Sequence, residues 1–322
     1  MNRTVYRLFI FVLTSLVSMG IFSVEARAEK KIGVLLWSEE SRYSDSHNGV
    51  MESLKKLGFG EPNVKFTVGN AGGNKAKAAE LASKFAAGKM DMVIAHGTTA
   101  AVAVAKEIKD VPVVFSMVYD PIGAKIAEDW KSSGNNTTGA SSMVPMSRLV
   151  DTLKRLAPVK KLAVLYTPGE KNSEIQLKEL QAVQGDSQVK IVPVPLTRNE
   201  EVAQIIPEVV GTVDAIYLSG SNVVGEMAAT IVNLATKAKV ITVAHLDDLV
   251  AKGALLGVCA NPSEVGRLAG KKAANVLKGS KPSSIPIEPL KKLDVIVNMK
   301  TAKAGQIQVP PKFLKSATKV IE

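Results

Sequence analysis

From residue 30 onward, short apolar runs alternate with stretches in which apolar residues recur every three or four positions. The first half predicts strands at Ile32–Trp37, Val64–Val68, Met90–Ala95 and Val111–Met117. Between and after them the pattern predicts helices at His47–Leu57, Lys75–Ala87, Thr98–Ile108 and Ile122–Trp130, with Gly58 and Gly88 as stops. The alternation then restarts. Strands are expected at Lys161–Tyr166, Val189–Val194, Asp214–Leu218, Val240–Ala244, Leu255–Val258 and Asp294–Val297. Helices are expected at Arg148–Leu156, Ser173–Val183, Glu200–Val210, Val223–Ala235, Asp247–Ala251 and Ser263–Leu277, with Lys281–Pro289 irregular and a helical tail after Thr301.

Strand–helix alternation implies βαβ units and parallel sheets. Continuous apolar strands such as Met92-Val93-Ile94-Ala95 suit a sheet covered on both faces. The restart near Asn135–Pro145 divides the chain into two α/β, Rossmann-like parallel-sheet lobes joined by hinge crossovers. The expected division is 29–143 for the first lobe and 144–259 for the second. Part of the segment at about 260–290 is expected to return to the first lobe, and part of 290–322 to pack on the second.

The first 28 residues change the picture. Arg3 and Arg7 precede an apolar run from Leu8 to Val17, and Ala26-Arg27-Ala28 is a small-x-small cleavage site. That layout is a secretory signal peptide. Its apolar run is too short and interrupted for the roughly 20 residues of a membrane span. Removing 28 residues from 322 leaves 294, enough for two domains. The sole cysteine, Cys259, offers no lipid-anchor site behind the signal and no disulfide framework. A soluble periplasmic protein, monomeric and not a lipoprotein, is expected.

The net charge is +11, but lysine pairs such as Lys55-Lys56, Lys160-Lys161 and Lys271-Lys272 are scattered, and aromatics make up only 5%. Nucleic-acid binders cluster charge and add stacking residues, so that class is disfavoured. Catalytic motifs also fail. Gly69–Lys75 lacks phosphate-loop spacing, and Ser53-Leu54-Lys55-Lys56 lies within a helix without a later K-T-G. The three histidines lie at least 49 residues apart with no metal-ligand pairing. No catalytic residue, metal or cofactor is expected. Asn136-Thr137-Thr138 reads as turn composition.

Ligands of open parallel sheets bind beyond the carboxyl ends of the strands. The loops there contribute Trp37, Ser38 and Tyr43; Gly97, Thr98 and Thr99; Tyr119 and Asp120; Thr167, Glu170, Asn172 and Ser173; Gly220, Ser221 and Asn222; and Asp247. These are hydroxyls, amides and glycines, suited to hydrogen bonding rather than proton transfer. Gly97-Thr98-Thr99 at a helix start can hold a carboxylate or simply cap the helix. Asn172-Ser173 and Ser221-Asn222 carry the same ambiguity. Asp120 and Asp247 can take an ammonium or cap helices, and Trp37 and Tyr43 can stack on a ligand or pack in the core.

An ordered set of short segments carries a resemblance. It comprises Pro112-Val113-Val114-Phe115 with Tyr119-Asp120-Pro121-Ile122-Gly123-Ala124, Asn136-Thr137-Thr138-Gly139, and Leu165 to Ser173. Asp214-Ala215-Ile216-Tyr217, Ser221-Asn222, Gly266-Arg267, Leu277 to Ser283, Val297-Asn298 and Thr301-Ala302 complete it. Over nearly the whole mature chain the sequence resembles ABC-transporter substrate-binding proteins of the tryptophan/tyrosine type, with the type I periplasmic-binding fold. The resemblance implies a receptor that delivers an amino acid or related small solute to an inner-membrane ABC permease. It implies that Thr98-Thr99 holds the ligand carboxylate, with Asn172-Ser173 and Ser221-Asn222 facing it from the other lobe. Val258-Cys259-Ala260-Asn261-Pro262 departs from the aromatic residues that relatives often carry there, which argues against an aromatic ligand. A periplasmic sensor for a membrane kinase or chemoreceptor is one alternative. An exported hydrolase is another, opposed by the lack of a base–nucleophile pair.

Overall fold

A computed structural model describes residues 29–322. The signal-peptide reading lies outside the described residues. The chain begins with β1 (Lys30–Leu36), α1 (Ser41–Lys56), β2 (Val64–Asn70), α2 (Lys75–Ala87), β3 (Met92–His96), α3 (Thr98–Glu107), β4 (Val113–Val118) and β5 (Thr137–Ser141). It continues with α4 (Met146–Leu156), β6 (Lys161–Tyr166), α5 (Lys171–Ala182), α6 (Gln184–Ser187), β7 (Lys190–Pro195), α7 (Val202–Val210), β8 (Ala215–Leu218), α8 (Asn222–Lys237), β9 (Ile241–Ala244), α9 (Asp247–Ala251) and β10 (Leu256–Cys259). The last part holds α10 (Pro262–Leu277), β11 (Glu288–Pro289), β12 (Asp294–Asn298), α11 (Met299–Ala304), α12 (Pro311–Lys315) and β13 (Lys319–Ile321).

Two sheets result, ordered β11-β5-β4-β3-β1-β2 and β13-β12-β10-β9-β8-β6-β7. Pairing is parallel except between β10 and β12. Every residue of β3, β4, β8 and β9 is buried, as expected of strands covered on both faces. The chain therefore forms two α/β lobes, and three crossovers run between them: after β5, after β10, and between β11 and β12.

The second crossover sends α10 back onto α1. Small residues let the backbones approach: a Cβ at Gly49 would collide with the Ser263 carbonyl, and one at Gly266 with that of Ser46. Ser53 Oγ donates to the Arg267 carbonyl at 2.9 Å, adding a polar tie to this contact.

Four stretches depart from the sequence pattern. The first helix, α1, begins at Ser41 rather than His47, and the tail expected to be helical after Thr301 ends in β13, paired with β12. Ile122–Trp130 is not a helix but a series of turns. Asp120 Oδ1 accepts from Ile122 N at 2.9 Å, and Lys125 enters the left-handed region at φ 59°, which stops propagation after one turn. Thr137 and Thr138 lie not in a turn but in β5, whose five residues are all buried. Polarity hid that strand. Its hydroxyls are satisfied internally, Thr137 Oγ1 by Ile126 O at 3.2 Å, Thr138 Oγ1 by Ile285 O at 2.8 Å and Ser141 Oγ by Tyr119 O at 2.5 Å. Asn136 stands just before it and donates to the carbonyls of Ile108 and Val111.

Candidate ligand-binding site

Strand ends from both lobes meet around a small cavity. The first lobe supplies Arg42 and Tyr43 from α1, Thr98 from α3, and Met117 and Tyr119 at the end of β4. Ser142 comes from the first crossover. The second lobe supplies Asn172 and Gln176 from α5, Gly220 after β8, and His245 and Leu246 after β9. Aromatic and apolar walls and a few converging polar groups are the usual attributes of a small-molecule site.

Local geometry explains the first-lobe wall. Gly97 has φ 99°, and a Cβ there would stand 2.8 Å from Tyr43 Cε1 and 3.1 Å from Trp37 Cβ. Its absence lets the Tyr43 ring lie against the start of α3. Thr98 Oγ1 accepts from Tyr119 N at 3.3 Å, leaving its hydroxyl proton free to donate. Met117 adopts φ 56°, where the β4–β5 register shifts, and this irregularity turns Met117 and Tyr119 into the cavity wall. Burial, opposed by the nearby Arg42, pushes the Tyr43 phenol up to about 12, so it stays protonated.

Contacts cross the cleft around this space. The Arg42 guanidinium, 4.8 Å from the Tyr43 ring centroid, bonds Glu40 at 2.8 Å in its own lobe and Asp248 in the other. Glu40 Oε2 and Asp248 Oδ1 are buried without partners. Among the described residues that line the cavity, Arg42 alone is charged. The Tyr119 hydroxyl donates to the Glu179 carboxylate, and its ring meets that of His245 edge-on at 5.4 Å between centroids. Burial raises both the Tyr119 and the Glu179 pKa, which keeps the phenol protonated as the donor. Asn222 Nδ2 reaches Gly73 O at 3.4 Å, and Lys75 Nζ reaches Gly169 O at 3.3 Å.

The residues selected from sequence divide accordingly. Tyr43, Thr98, Tyr119, Asn172 and Gly220 line the cavity, and Gly97 shapes it. Ser38 and Asn222 line a separate outer groove beside Glu40 and Lys252. Asp120 lies in another groove, with Trp130 and Met143. Trp37 is buried in the core, and Thr99 is half-buried outside the cavity lining. Thr167 Oγ1 bonds Leu196 O at 2.8 Å, Ser173 Oγ bonds both Thr167 and Glu170 main chains, and Ser221 caps α8 through Val224 N. Glu170 accepts from Asn222 N at 2.9 Å, and burial raises its pKa. Asp247 accepts from the Asp248 amide at 3.0 Å, and burial, reinforced by Asp248, raises its pKa to about 6.

Sequence reasoning missed Arg42, Met117, Ser142, Gln176, His245 and Leu246. Gln176 had a signal, since it lies four residues after Asn172 and so on the same helix face. Val258 and Cys259, which argued against an aromatic ligand, are fully buried within β10 and take no part in the cavity lining.

The profile of the family described as ABC transporter substrate binding protein matches residues 31–321. The chain belongs to that family. A tyrosine-binding protein of Clostridioides difficile is 27% identical over 286 residues, covering 88% of this chain and 83% of the relative. Among solved structures, the chain is similar to an ABC domain in complex with L-Trp from Streptococcus pneumonia, with TM-score 0.87, 29% identity and coverage of 91% and 100% of the two chains. A ligand-free, open substrate binding protein with adhesive properties from Clostridium difficile gives TM-score 0.73 at the same 29% identity, covering 91% and 99%. At matched identity and coverage, the overall superposition is closer on the L-Trp complex than on the ligand-free protein. The ion pair and hydrogen bonds described above join the two lobes across the cleft.

Proposed function

We propose that this protein is the periplasmic receptor of an ABC importer, and that it closes on an L-amino acid with an aromatic side chain and presents it to an inner-membrane permease. The interlobe cavity carries this reading. Tyr43, Tyr119 and His245 offer ring surfaces, while Thr98, Ser142, Asn172 and Gly220 offer hydrogen bonds from both lobes and the crossover. The ligand carboxylate lies at the start of α3, where the Thr98 hydroxyl is free to donate and the helix end favours negative charge. The crossovers act as hinges between lobes at 29–143 and 144–259, each completed by C-terminal segments. The L-Trp complex and the tyrosine-binding relative support the ligand class. The signal-peptide layout of residues 1–28 supports export.

Calorimetry on protein stripped of bound solute tests this, with L-tryptophan, L-tyrosine, L-phenylalanine, L-leucine and L-glutamate as probes. An aromatic amino acid is expected to bind with micromolar or tighter affinity, about −8 kcal/mol or better. Equal or stronger binding of L-leucine or L-glutamate overturns the ligand class, as does the absence of binding by all three aromatic probes.

A further inference from the structure

The second-lobe wall of the cavity rests on a closed ring of side chains that the binding role does not by itself require. Gln176 Nε2 lies 3.2 Å from His245 Nε2, His245 Nδ1 lies 2.7 Å from the Tyr217 hydroxyl, and that hydroxyl lies 3.3 Å from Gln176 Oε1. All three residues are fully or almost fully buried. The Gly220 amide donates to Gln176 Oε1 at 3.0 Å, and the Asn172 amide donates to Gly220 O at 2.5 Å. The Gly220 peptide is thus gripped at both ends by side chains one turn apart on α5.

We infer that Gln176, Tyr217 and His245 form a one-way hydrogen-bond ring that holds His245 as the neutral Nδ1–H tautomer and positions Gly220 and Asn172 at the cavity. The polarity follows by elimination. A backbone amide can only donate, so the group that accepts from Gly220 is the Gln176 carbonyl oxygen. The Gln176 amide nitrogen therefore faces His245, and because it can only donate, His245 Nε2 must accept. The imidazole proton then sits on Nδ1 and is given to the Tyr217 oxygen. Tyr217 completes the ring by donating to Gln176 Oε1. An imidazolium would set Nε2–H against the Gln176 N–H, with two donors and no acceptor.

The surroundings point the same way. Arg42 from α1 faces His245 across the cavity, and Tyr119 from β4 touches its ring edge. Tyr217 is stacked on it at 5.8 Å between centroids, with Glu179 and Cys259 acting on Tyr217 from α5 and β10, and Asp247 and Asp248 follow on α9. Burial, with Arg42 adding to it, depresses the His245 pKa to about 3. The consequence, which rests on the proposed cleft function, is that this wall stays uncharged throughout the periplasmic pH range. It offers the ligand oriented dipoles and no titrating group.

Nitrogen-15 correlation spectra of the imidazoles in the ligand-stripped full mature chain test the ring, with His245→Gln used to assign the His245 signals. The expected wild-type result is the neutral Nδ1–H pattern, unchanged from pH 8 to pH 5. Gln176→Glu places an acceptor opposite Nε2, so His245 is expected to gain an Nε2 proton and to titrate within that range. Tyr217→Phe removes the acceptor for Nδ1–H, and the single-tautomer pattern is expected to be lost. A wild-type Nε2–H pattern, or titration of wild-type His245 between pH 5 and 8, overturns the inference. If Gln176→Glu does not fold, the wild-type and Tyr217→Phe spectra decide. No ligand enters these measurements, so failure of the calorimetric screen leaves the ring standing, and failure of the ring leaves the ligand class standing.

Discussion

Arg42 on α1 and Asp248 on α9 form an ion pair across the cleft, with both side chains only 4% exposed. Breaking a buried pair by removing one partner costs about 3–5 kcal/mol, because the other charge is left uncompensated. Glu40 still pairs Arg42 from its own lobe, which places the cost of Asp248→Asn near the low end. The penalty falls on the closed form alone, since opening exposes Arg42 to water. Asp248→Asn is therefore expected to weaken ligand binding by about 100-fold, equivalent to about 3 kcal/mol. Small-angle scattering should show a larger radius of gyration without ligand, while the midpoint of thermal unfolding moves little. An unchanged radius together with affinity within threefold of wild type rules out a closing role for the pair.

Asn172 and Ser173 are adjacent at the start of α5 but face different surroundings. Asn172 lines the cavity, whereas the Ser173 hydroxyl bonds the Thr167 and Glu170 main chains. Asn172→Ala is expected to lower affinity about tenfold, as loss of roughly one hydrogen bond would, with little effect on folding. Ser173→Ala leaves the buried Thr167 amide without its acceptor and is expected to cost about 1–3 kcal/mol of folding stability with affinity within threefold. Calorimetry and urea unfolding on both variants separate the roles. The reverse assignment of effects would contradict this placement.

That pair also shows how far the sequence could be read. Strand–helix alternation located most elements and the strand ends that meet at the cleft, because apolar periodicity follows burial directly. It could not tell a loop hydroxyl facing a ligand from one satisfying a nearby main chain. Thr98 and Thr167 look alike in the sequence, yet Thr98 lines the cavity, its hydroxyl oxygen accepting from the Tyr119 amide, whereas the Thr167 hydroxyl donates to Leu196 O. β5 was hidden because its buried hydroxyls are bonded to carbonyls distant in sequence, such as Thr138 to Ile285. Gln176 was passed over because a lone long polar side chain on a helix is ordinarily solvated. Arg42 was passed over because the periodicity began the first helix at His47 and left Arg42 in a loop, whereas α1 starts at Ser41.

Gly97 sets the Tyr43 wall through both conformation and space. Its φ of 99° is strained for any residue with a side chain, and an added Cβ would meet Tyr43 Cε1 at 2.8 Å. Gly97→Ala is expected to lower stability by about 1–3 kcal/mol and to push the Tyr43 ring into the cavity. Affinity for an aromatic amino acid should fall further than affinity for a smaller one, because the displaced ring narrows the space for the side chain. Paired titrations of the variant with L-tryptophan and L-alanine check this. Equal fractional losses would show that Gly97 acts on the backbone alone.

His96 makes stability depend on pH in a direction that can be worked out. It is fully buried, its Nδ1 lies 3.0 Å from Ser46 Oγ, and its Nε2 has no partner. Burial, with His47 adding to it, depresses its pKa from 6.5 to about 3. Below pH 6.5 the unfolded chain therefore takes up a proton that the folded chain refuses, and stability is lost as pH falls toward 3. From pH 7 to pH 5 this one group removes about 2 kcal/mol. Asp247 acts oppositely, because its raised pKa of about 6 makes the folded state the better proton binder below that pH. A net pH profile therefore mixes both contributions with the parallel loss from His245, whose pKa is also depressed to about 3, and a variant at His96 isolates its share. His96→Asn cannot titrate, so its deficit relative to wild type should shrink by about 2 kcal/mol between pH 7 and pH 5. Urea denaturation of both proteins at the two pH values measures the difference. A deficit that is constant with pH would mean that folded His96 titrates like the unfolded residue and is not held neutral.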